Sequence, residues 1–169
     1  GLIGAAIAIS YPLFKRFTHL PQLYLGIAFS WGIPMAFAAQ TGRVPALAWW
    51  ILCANLLWTV AYDTMYAMAD RPDDLKIGLK STAILFGQYD LLVNAVLQAL
   101  ALAVLGIIGW GLHLNGWYYL GLVGAAGTAV YQYRLCRGRD RDMCLKAFIN
   151  NTWFGACVFA GLVYSYRLN

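Results

Sequence analysis

The sequence predicts an all-α polytopic membrane protein, a bundle of six transmembrane helices. Three observations lead to this prediction: an apolar composition, six long apolar segments, and the placement of charged residues between those segments. Of the 169 residues, 62% are hydrophobic and 11% are charged, whereas a soluble domain carries about 25% charged residues. Because a transmembrane helix needs about 20 mostly apolar residues, the chain has room for about six.

The six apolar segments cover residues 1–14, 22–39, 46–69, 90–110, 117–135 and 146–166. Each segment is expected to be helical, because a lipid-exposed segment must satisfy its backbone hydrogen bonds internally. The segments do not fit a transmembrane β-barrel, whose strands are shorter and alternate between apolar and polar residues. The sequence therefore predicts helices packed side by side in a membrane.

The basic residues divide unevenly between the loops. Ten of the twelve Lys and Arg residues follow the first, third and fifth segments, and only Arg43 and Arg167 lie on the opposite side. Because cytoplasmic loops carry the excess of Lys and Arg, this alternation supports six spans and places the loop after the third segment in the cytoplasm. A bacterial inner membrane is the expected location. The lipid bilayer is the expected partner, and no segment indicates binding of nucleic acid or of another protein.

The acidic residues are concentrated at the end of the third segment. The chain has no glutamate, and four of its seven aspartates (Asp63, Asp70, Asp73 and Asp74) lie within twelve positions. On a helix, Asp63 and Asp70 share one face, and Asp74 shares it with Asp70 if the helix continues that far. Pro72 disfavours a helical conformation at the residue before it, which makes this position a candidate for a helix break.

Two interpretations of this acidic cluster are open. In the first, Asp70, Asp73 and Asp74 hold Mg²⁺, which binds one or two carboxylates together with water and substrate phosphate. Asp70, Asp74 and Asp63 are then the candidate catalytic residues; Asp63 is included because an ionisable group inside a span is costly and usually functional. In the second, the cluster is a solvated loop whose aspartates pair with nearby basic residues. Those basic residues are Arg71, Lys76 and Lys80. The second interpretation accounts well for Asp73 and poorly for Asp63.

A basic segment follows the first apolar segment, on the predicted cytoplasmic side. Tyr11 and Lys15 are four residues apart and share a helix face, and Arg16 follows them. Arg offers phosphate oxygens a planar fork and Lys a point charge, so these residues and Lys80 are candidates for binding a phosphorylated substrate. Taken alone, Lys15 and Arg16 are better explained as a membrane anchor. Together with the carboxylates, they indicate a site for metal and diphosphate.

The remaining polar and small residues are interpreted as structural. Asn55, Asn150 and Asn151 are expected to hydrogen-bond between helices. The basic run over residues 134–146 is expected to be a solvated, lipid-facing loop. Three glycines of the fifth segment are expected to let helices approach closely. These are Gly121, Gly124 and Gly127.

Two stretches resemble the UbiA superfamily of intramembrane prenyltransferases. The stretch YDTMYAMADRPDDLKIGLKSTAILFG resembles the family's second aspartate-rich motif, and its DxxxD core is Asp70–Asp74. The stretch YPLFKRFTHLPQ resembles a basic segment of the same family, with Lys15 and Arg16 as its basic pair. The similarity is greatest to the branch that prenylates 4-hydroxybenzoate, and it extends nearly end to end, through KAFINNTWFG.

The resemblance implies a nine-helix fold around a central cavity, of which residues 1–169 would be the C-terminal two-thirds of a single domain. It implies Mg²⁺-dependent transfer of a polyprenyl group from polyprenyl diphosphate to 4-hydroxybenzoate, ortho to the hydroxyl, in ubiquinone biosynthesis. The family's first aspartate-rich motif, NDxxDxxxD, does not occur in these residues. The chain is therefore expected to be a fragment that is inactive alone.

Three alternatives remain open at this point. Within the family, the acceptor could be haem, homogentisate or a naphthoquinone precursor. An ion-coupled membrane transporter would use buried acids as an ion path, but only Asp63 enters a span appreciably. A scaffold subunit would leave the DxxxD pattern and the basic pair unexplained.

Overall fold

The computed structural model describes residues 2–168, and the side chains of residues 3, 8 and 11–16 lie outside that description. Every regular element in the described part is helical, which confirms the all-α prediction. The eight α-helices are α1 (Leu2–Phe17), α2 (Pro21–Ser30), α3 (Gly32–Thr41), α4 (Ala46–Ile77), α5 (Thr82–Phe86), α6 (Asp90–Gly111), α7 (Gly116–Cys136) and α8 (Arg141–Arg167). A short 3₁₀ turn over Gly87–Tyr89 joins α5 to α6.

Each of the six predicted segments contains a helix, but two of them differ from the expected continuous spans. The second segment is divided into α2 and α3, which meet at Trp31. Pro34 lies one turn beyond this point and has no N–H to offer the carbonyl of Ser30, so the helical ladder is interrupted there. The third segment is longer than expected, because α4 continues past residue 69 to Ile77.

Four stretches of the described chain are long and apolar enough to cross a membrane: Pro21–Thr41, Ala46–Ile77, Thr82–Gly111 and Arg141–Arg167. Helix α1 has 16 residues and falls short in length. Helix α7 has 21 residues, but four are glycine and four are tyrosine, which lowers its hydropathy. The structure therefore confirms a helical membrane bundle, and by this measure four of the six predicted spans qualify.

Helix α4 is the central element of the bundle, since it packs against α2, α3, α5, α6 and α8. Helices α7 and α8 form the other extensive pair, and they approach most closely at two glycines. A Cβ atom added to Gly121 would lie 2.6 Å from the carbonyl oxygen of Cys157 and 2.8 Å from the Cα of Gly161. The predicted close approach is thus confirmed at Gly121.

The other two glycines of α7 differ from one another. A Cβ atom on Gly124 would lie 3.1 Å from the sulfur of Cys157, which also indicates close packing. Gly127 has open space around the corresponding position, so close packing does not explain this glycine.

Amide side chains link the helices in the interior, as predicted for three asparagines. Asn55 of α4 donates to Ser30 of α2 over 2.9 Å. Asn151 of α8 accepts from the indole of Trp58 over 2.8 Å, and Asn150 accepts from Gln132 of α7 over 3.3 Å. Because unpaired amides are costly in an apolar interior, these bonds fix the rotation of each helix about its axis.

The glycine contact between α7 and α8 can be tested by the variant Gly121→Leu. The added side chain would overlap the backbone of α8, and overpacking of this kind typically costs about 1–3 kcal/mol. We expect a lower midpoint of thermal unfolding for the purified protein in detergent. Gly127→Leu is the matched control, because it makes the same change on the same helix where space is open. Equal destabilisation of the two variants would contradict this account of the packing.

Candidate functional site at the end of helix α4

Helix α4 continues without a break through Pro72 and ends at Ile77, with Gly78 as its C-cap. Gly78 adopts a left-handed conformation (φ 70°), and its N–H donates to the carbonyl of Asp74. The break considered at Arg71 therefore does not occur. The preference of a residue before proline is local, whereas Arg71 is held by tertiary contacts with α5 and α6.

The continuous helix places three carboxylates on one face. Asp63, Asp70 and Asp74 recur at intervals of seven and four residues, and we call these three residues the acidic face. Asp63 is buried, with 9% of its surface exposed, while Asp70 and Asp74 are half-buried. Asp63 lies about 10 Å along the helix from Asp70, at 1.5 Å per residue. The hydroxyl of Tyr66, between them in sequence, interacts with the Asp70 carboxylate.

Asp73 lies beside the acidic face and is paired with two cations. Its Oδ1 atom accepts from Lys76 over 3.0 Å, and its Oδ2 atom accepts from Arg141 of α8 over 2.9 Å. The expected pairing with Lys76 is confirmed. Both oxygens already have basic partners, so a role for Asp73 as a metal ligand, which remains a prediction, would require it to exchange them.

The described residues do not form a complete metal site. Nowhere in residues 2–168, as far as they are described, do three or more His, Cys, Asp or Glu side chains cluster closely enough to hold an ion. Asp70 nevertheless forms no ion pair with any described side chain. Mg²⁺ bound to a phosphorylated substrate typically uses only one or two carboxylates and completes its shell with phosphate and water. Asp70 and Asp74 fit that kind of open, shared site.

The side chains of Tyr11, Lys15 and Arg16 lie outside the described residues, but the backbone of α1 is placed. The ammonium group of Lys80 lies 3.5 Å from the carbonyl of Phe17, the last residue of α1. The loop that follows the acidic end of α4 therefore reaches the end of the helix that carries the basic pair.

A second contact holds this loop against the start of α2. The buried amide of Gln22 accepts from the backbone N–H of Thr82 over 3.0 Å. The hydroxyl of Thr82 lies 2.8 Å from that of Thr64 of α4. These bonds connect α2, α4 and the start of α5, so they fix Lys80 relative to the acidic end.

Sequence reasoning missed a buried ion cluster formed by Asp90, Arg71 and Arg139. Asp90 is fully buried and lies 2.6 Å from Arg71 and 2.8 Å from Arg139. The solvated-loop interpretation paired Arg71 with the aspartates of its own loop, but its partner is Asp90. Arg139 is exposed, as expected for the basic run, and its guanidinium also binds Asp90. The hydrogen bond with Asp90 raises the pKa of Arg139 above its ordinary value. The sequence signal for this cluster was a lone aspartate at the start of an apolar segment.

Two apolar hollows lie between α4 and α8. One, of about 220 Å³, is lined mainly by aliphatic and aromatic side chains that include Trp58 and Phe154. The other, of about 430 Å³, is lined by residues that include Trp58, Tyr62 and Asn151. Trp58 lines both hollows and Tyr62 lines the second, so we call the two hollows together the chamber; its wall along α4 is aromatic, and no residue of the acidic face lines it.

The helical bundle and the acidic face define the class of protein. Residues 1–156 match the model of the UbiA prenyltransferase family, and the chain belongs to that family. The apo structure of a UbiA homolog from Aeropyrum pernix K1 is similar in fold, with a TM-score of 0.73 at 24% identity over 95% of this chain and 62% of that one.

Curated relatives are considerably more similar in sequence. A 4-hydroxybenzoate octaprenyltransferase of Methylococcus capsulatus is 58% identical over 163 residues, which are 96% of this chain and 56% of the relative. A protein of the same name from Coxiella burnetii is 55% identical over 166 residues, 98% of this chain and 58% of the relative. The chain thus spans 56–58% of the length of these relatives.

The contact between Gln22 and Thr82 is expected to stabilise the loop between α4 and α5. Gln22→Ala would leave a buried N–H without an acceptor, which typically costs about 1–3 kcal/mol. We expect a lower thermal midpoint in detergent and faster proteolysis between α4 and α5. Gln40→Ala is the control, because Gln40 is an exposed residue of α3. No difference between the two variants would show that the contact contributes little.

Proposed function

We propose that the protein transfers a polyprenyl group from polyprenyl diphosphate to the ring carbon of 4-hydroxybenzoate ortho to the hydroxyl, as a step of ubiquinone biosynthesis. The observation that carries this proposal is the unbroken α4, which presents Asp70 and Asp74 on one face and carries the aromatic wall of the chamber elsewhere along its length. The family and the names of the curated relatives support it.

Asp70 and Asp74 would hold Mg²⁺ together with the diphosphate of the donor, and Asp73 is a third, weaker candidate because Lys76 and Arg141 already pair with it. When bound, the metal would neutralise charge on the leaving diphosphate. The family's first aspartate-rich motif would supply the remaining carboxylates. In this proposal, residues 1–169 are the C-terminal part of one domain.

Several residues of this chain would stabilise the charges that develop during the reaction. As the allylic C–O bond breaks, negative charge grows on the diphosphate, where Lys15, Arg16 and Lys80 are the proposed cationic partners and Tyr11 a further binding group. The allylic fragment becomes positive. Asp63, buried deeper along the same face, would supply a fixed negative charge on that side.

The chamber would protect the cationic fragment until the acceptor attacks it. Aromatic faces such as those of Trp58 and Tyr62 attract cations, and apolar walls exclude the water that would otherwise capture the fragment. The electron-rich ring of 4-hydroxybenzoate then forms the new C–C bond and loses the proton from the same carbon. We propose a bacterial inner membrane as the location, with the acidic end of α4 in the cytoplasm, where water-soluble 4-hydroxybenzoate and Mg²⁺ are available.

The metal-binding proposal predicts the effect of Asp70→Asn and Asp74→Asn in the full-length protein. Each change removes a carboxylate aimed at the diphosphate, so we expect transfer in isolated membranes with Mg²⁺ to fall by roughly 100-fold or more. Asp142→Asn, an exposed residue in the first turn of α8, is the charge-matched control and should remain active. Near-normal turnover in both test variants would refute the assignment.

The acceptor can be tested separately with a panel of aromatic compounds. We expect prenylated product with 4-hydroxybenzoate and little with homogentisate or a naphthoquinone precursor, measured by mass spectrometry after incubation with one polyprenyl diphosphate. A preference for another acceptor would keep the family's reaction class and reject the proposed substrate.

A further inference from the structure

The carboxylate of Asp90 is fully buried and is bound by two guanidinium groups and a backbone N–H. Its Oδ2 atom accepts from Arg71 over 2.6 Å, and its Oδ1 atom accepts from Arg139 over 2.8 Å. The N–H of Leu91 donates to Oδ1 over 2.7 Å. With two cations around one fully buried anion, removal of the anion would leave two guanidinium groups without their common partner.

Arg71 connects this cluster directly to the acidic face. It follows Asp70 in sequence, and adjacent helical residues point about 100° apart, so its side chain leaves the helix in a different direction. Besides Asp90, its Nη2 atom donates to two backbone carbonyls. These are the carbonyl of Ala83 and the carbonyl of Gly87, the latter over 3.2 Å. The hydrogen bonds of one guanidinium therefore link α4 at Arg71 to α5 and α6.

The hydrogen bonds of Arg71 lie one residue before Pro72, where the helix is weakened. Proline has no N–H to donate to the carbonyl one turn earlier, so α4 lacks the hydrogen bond between Pro72 and Met68. Asp70 lies within that weakened turn, and Asp74 lies just beyond it. Arg71 holds the backbone next to it from outside the helix.

Arg139 links Asp90 to the segment between α7 and α8. This residue has a left-handed backbone (φ 52°), which is unfavourable for a residue other than glycine. Its guanidinium donates to the carbonyl of Gln88 over 2.8 Å as well as to Asp90. The unfavourable conformation is compatible with a linker held in place by these bonds.

We propose that Asp90 is a positioning residue for the reaction: held in place by Arg139, it holds the end of α4 through Arg71, so that Asp70 and Asp74 keep the spacing that metal-bound diphosphate requires. This inference rests on the proposed function. Residues that orient metal ligands typically change metal affinity by about 10–100-fold when they are removed. A residue that only supported folding would lower the amount of active protein and leave the metal requirement unchanged.

The test compares Asp90→Asn, Arg139→Gln, Arg139→Lys and Arg137→Gln in the full-length protein. Prenyl transfer is measured against Mg²⁺ concentration, with the rates normalised to folded protein. We expect the first two variants to need about tenfold more Mg²⁺ for half-maximal rate and to recover most of the wild-type rate at saturating Mg²⁺. Arg139→Lys should recover part of the affinity, because its charge is kept. Arg137→Gln removes an exposed charge from the same linker and should change nothing.

A second readout is independent of activity. Hydrogen–deuterium exchange should be faster in Asp90→Asn and Arg139→Gln for the amides of residues 73–79, beyond Pro72, than in the wild-type protein and in Arg137→Gln. If Asp90→Asn fails to accumulate in the membrane, Arg139→Gln decides, because it frees Asp90 from the linker before α8 without leaving the buried carboxylate unpaired.

The outcomes separate the two proposals. An unchanged Mg²⁺ requirement in Arg139→Gln and in any folded Asp90→Asn would overturn the positioning role, even if the maximal rate fell. If the wild-type protein showed no metal-dependent transfer, the proposed function would fail, and the exchange measurement would decide whether Asp90 holds the end of α4. Unchanged exchange over residues 73–79 would then overturn that as well.

Discussion

The geometry of the site depends on helix α4 remaining helical through Pro72. Asp70 and Asp74 share a face only if the turn between them is helical, and Pro72, which lies inside that turn, removes the hydrogen bond to the carbonyl of Met68. The helix is continued by contacts outside it: Arg71 binds two backbone carbonyls and the buried carboxylate of Asp90. The residue before a proline disfavours the helical conformation, so the local sequence favours a break at Arg71. The hydrogen bonds of Arg71 with α5 and α6 outweigh that preference.

Two ionic contacts hold the end of α4, and they differ in strength. The pairs of Asp73 with Lys76 and Arg141 are exposed to solvent, where such pairs contribute little to stability. Asp90 is fully buried and its arginine partners are partly exposed, so its pairs are screened by solvent less than the exposed pairs of Asp73 are. The buried cluster is therefore the contact that fixes α4 relative to α6 and the linker before α8, and the exposed pairs add a weaker link to α8.

Sequence patterns were sufficient for features governed by local periodicity. The helical segments follow from apolar run length, the shared face of Asp63, Asp70 and Asp74 follows from helical spacing, and Asn55 was expected to bond between helices. The partners of Arg71 and Arg139 were not predictable, because their common acceptor Asp90 lies 19 and 49 residues away along the chain. Charge placement indicates the membrane side of a residue, but it does not show which cation enters the protein to meet a distant acid.

The adjacent pair Asp70–Arg71 shows why this distinction matters for the chemistry. Opposite charges next to each other in a sequence suggest mutual neutralisation, but on a helix they point about 100° apart. Arg71 is drawn to Asp90 on one side, and on the other Asp70 is left without an ion pair among the described side chains. If Arg71 turned to Asp70, the buried Asp90 would lose a partner and the acidic face would lose the charge with which it attracts a metal. The same side chain thus stabilises the helix end and keeps Asp70 available.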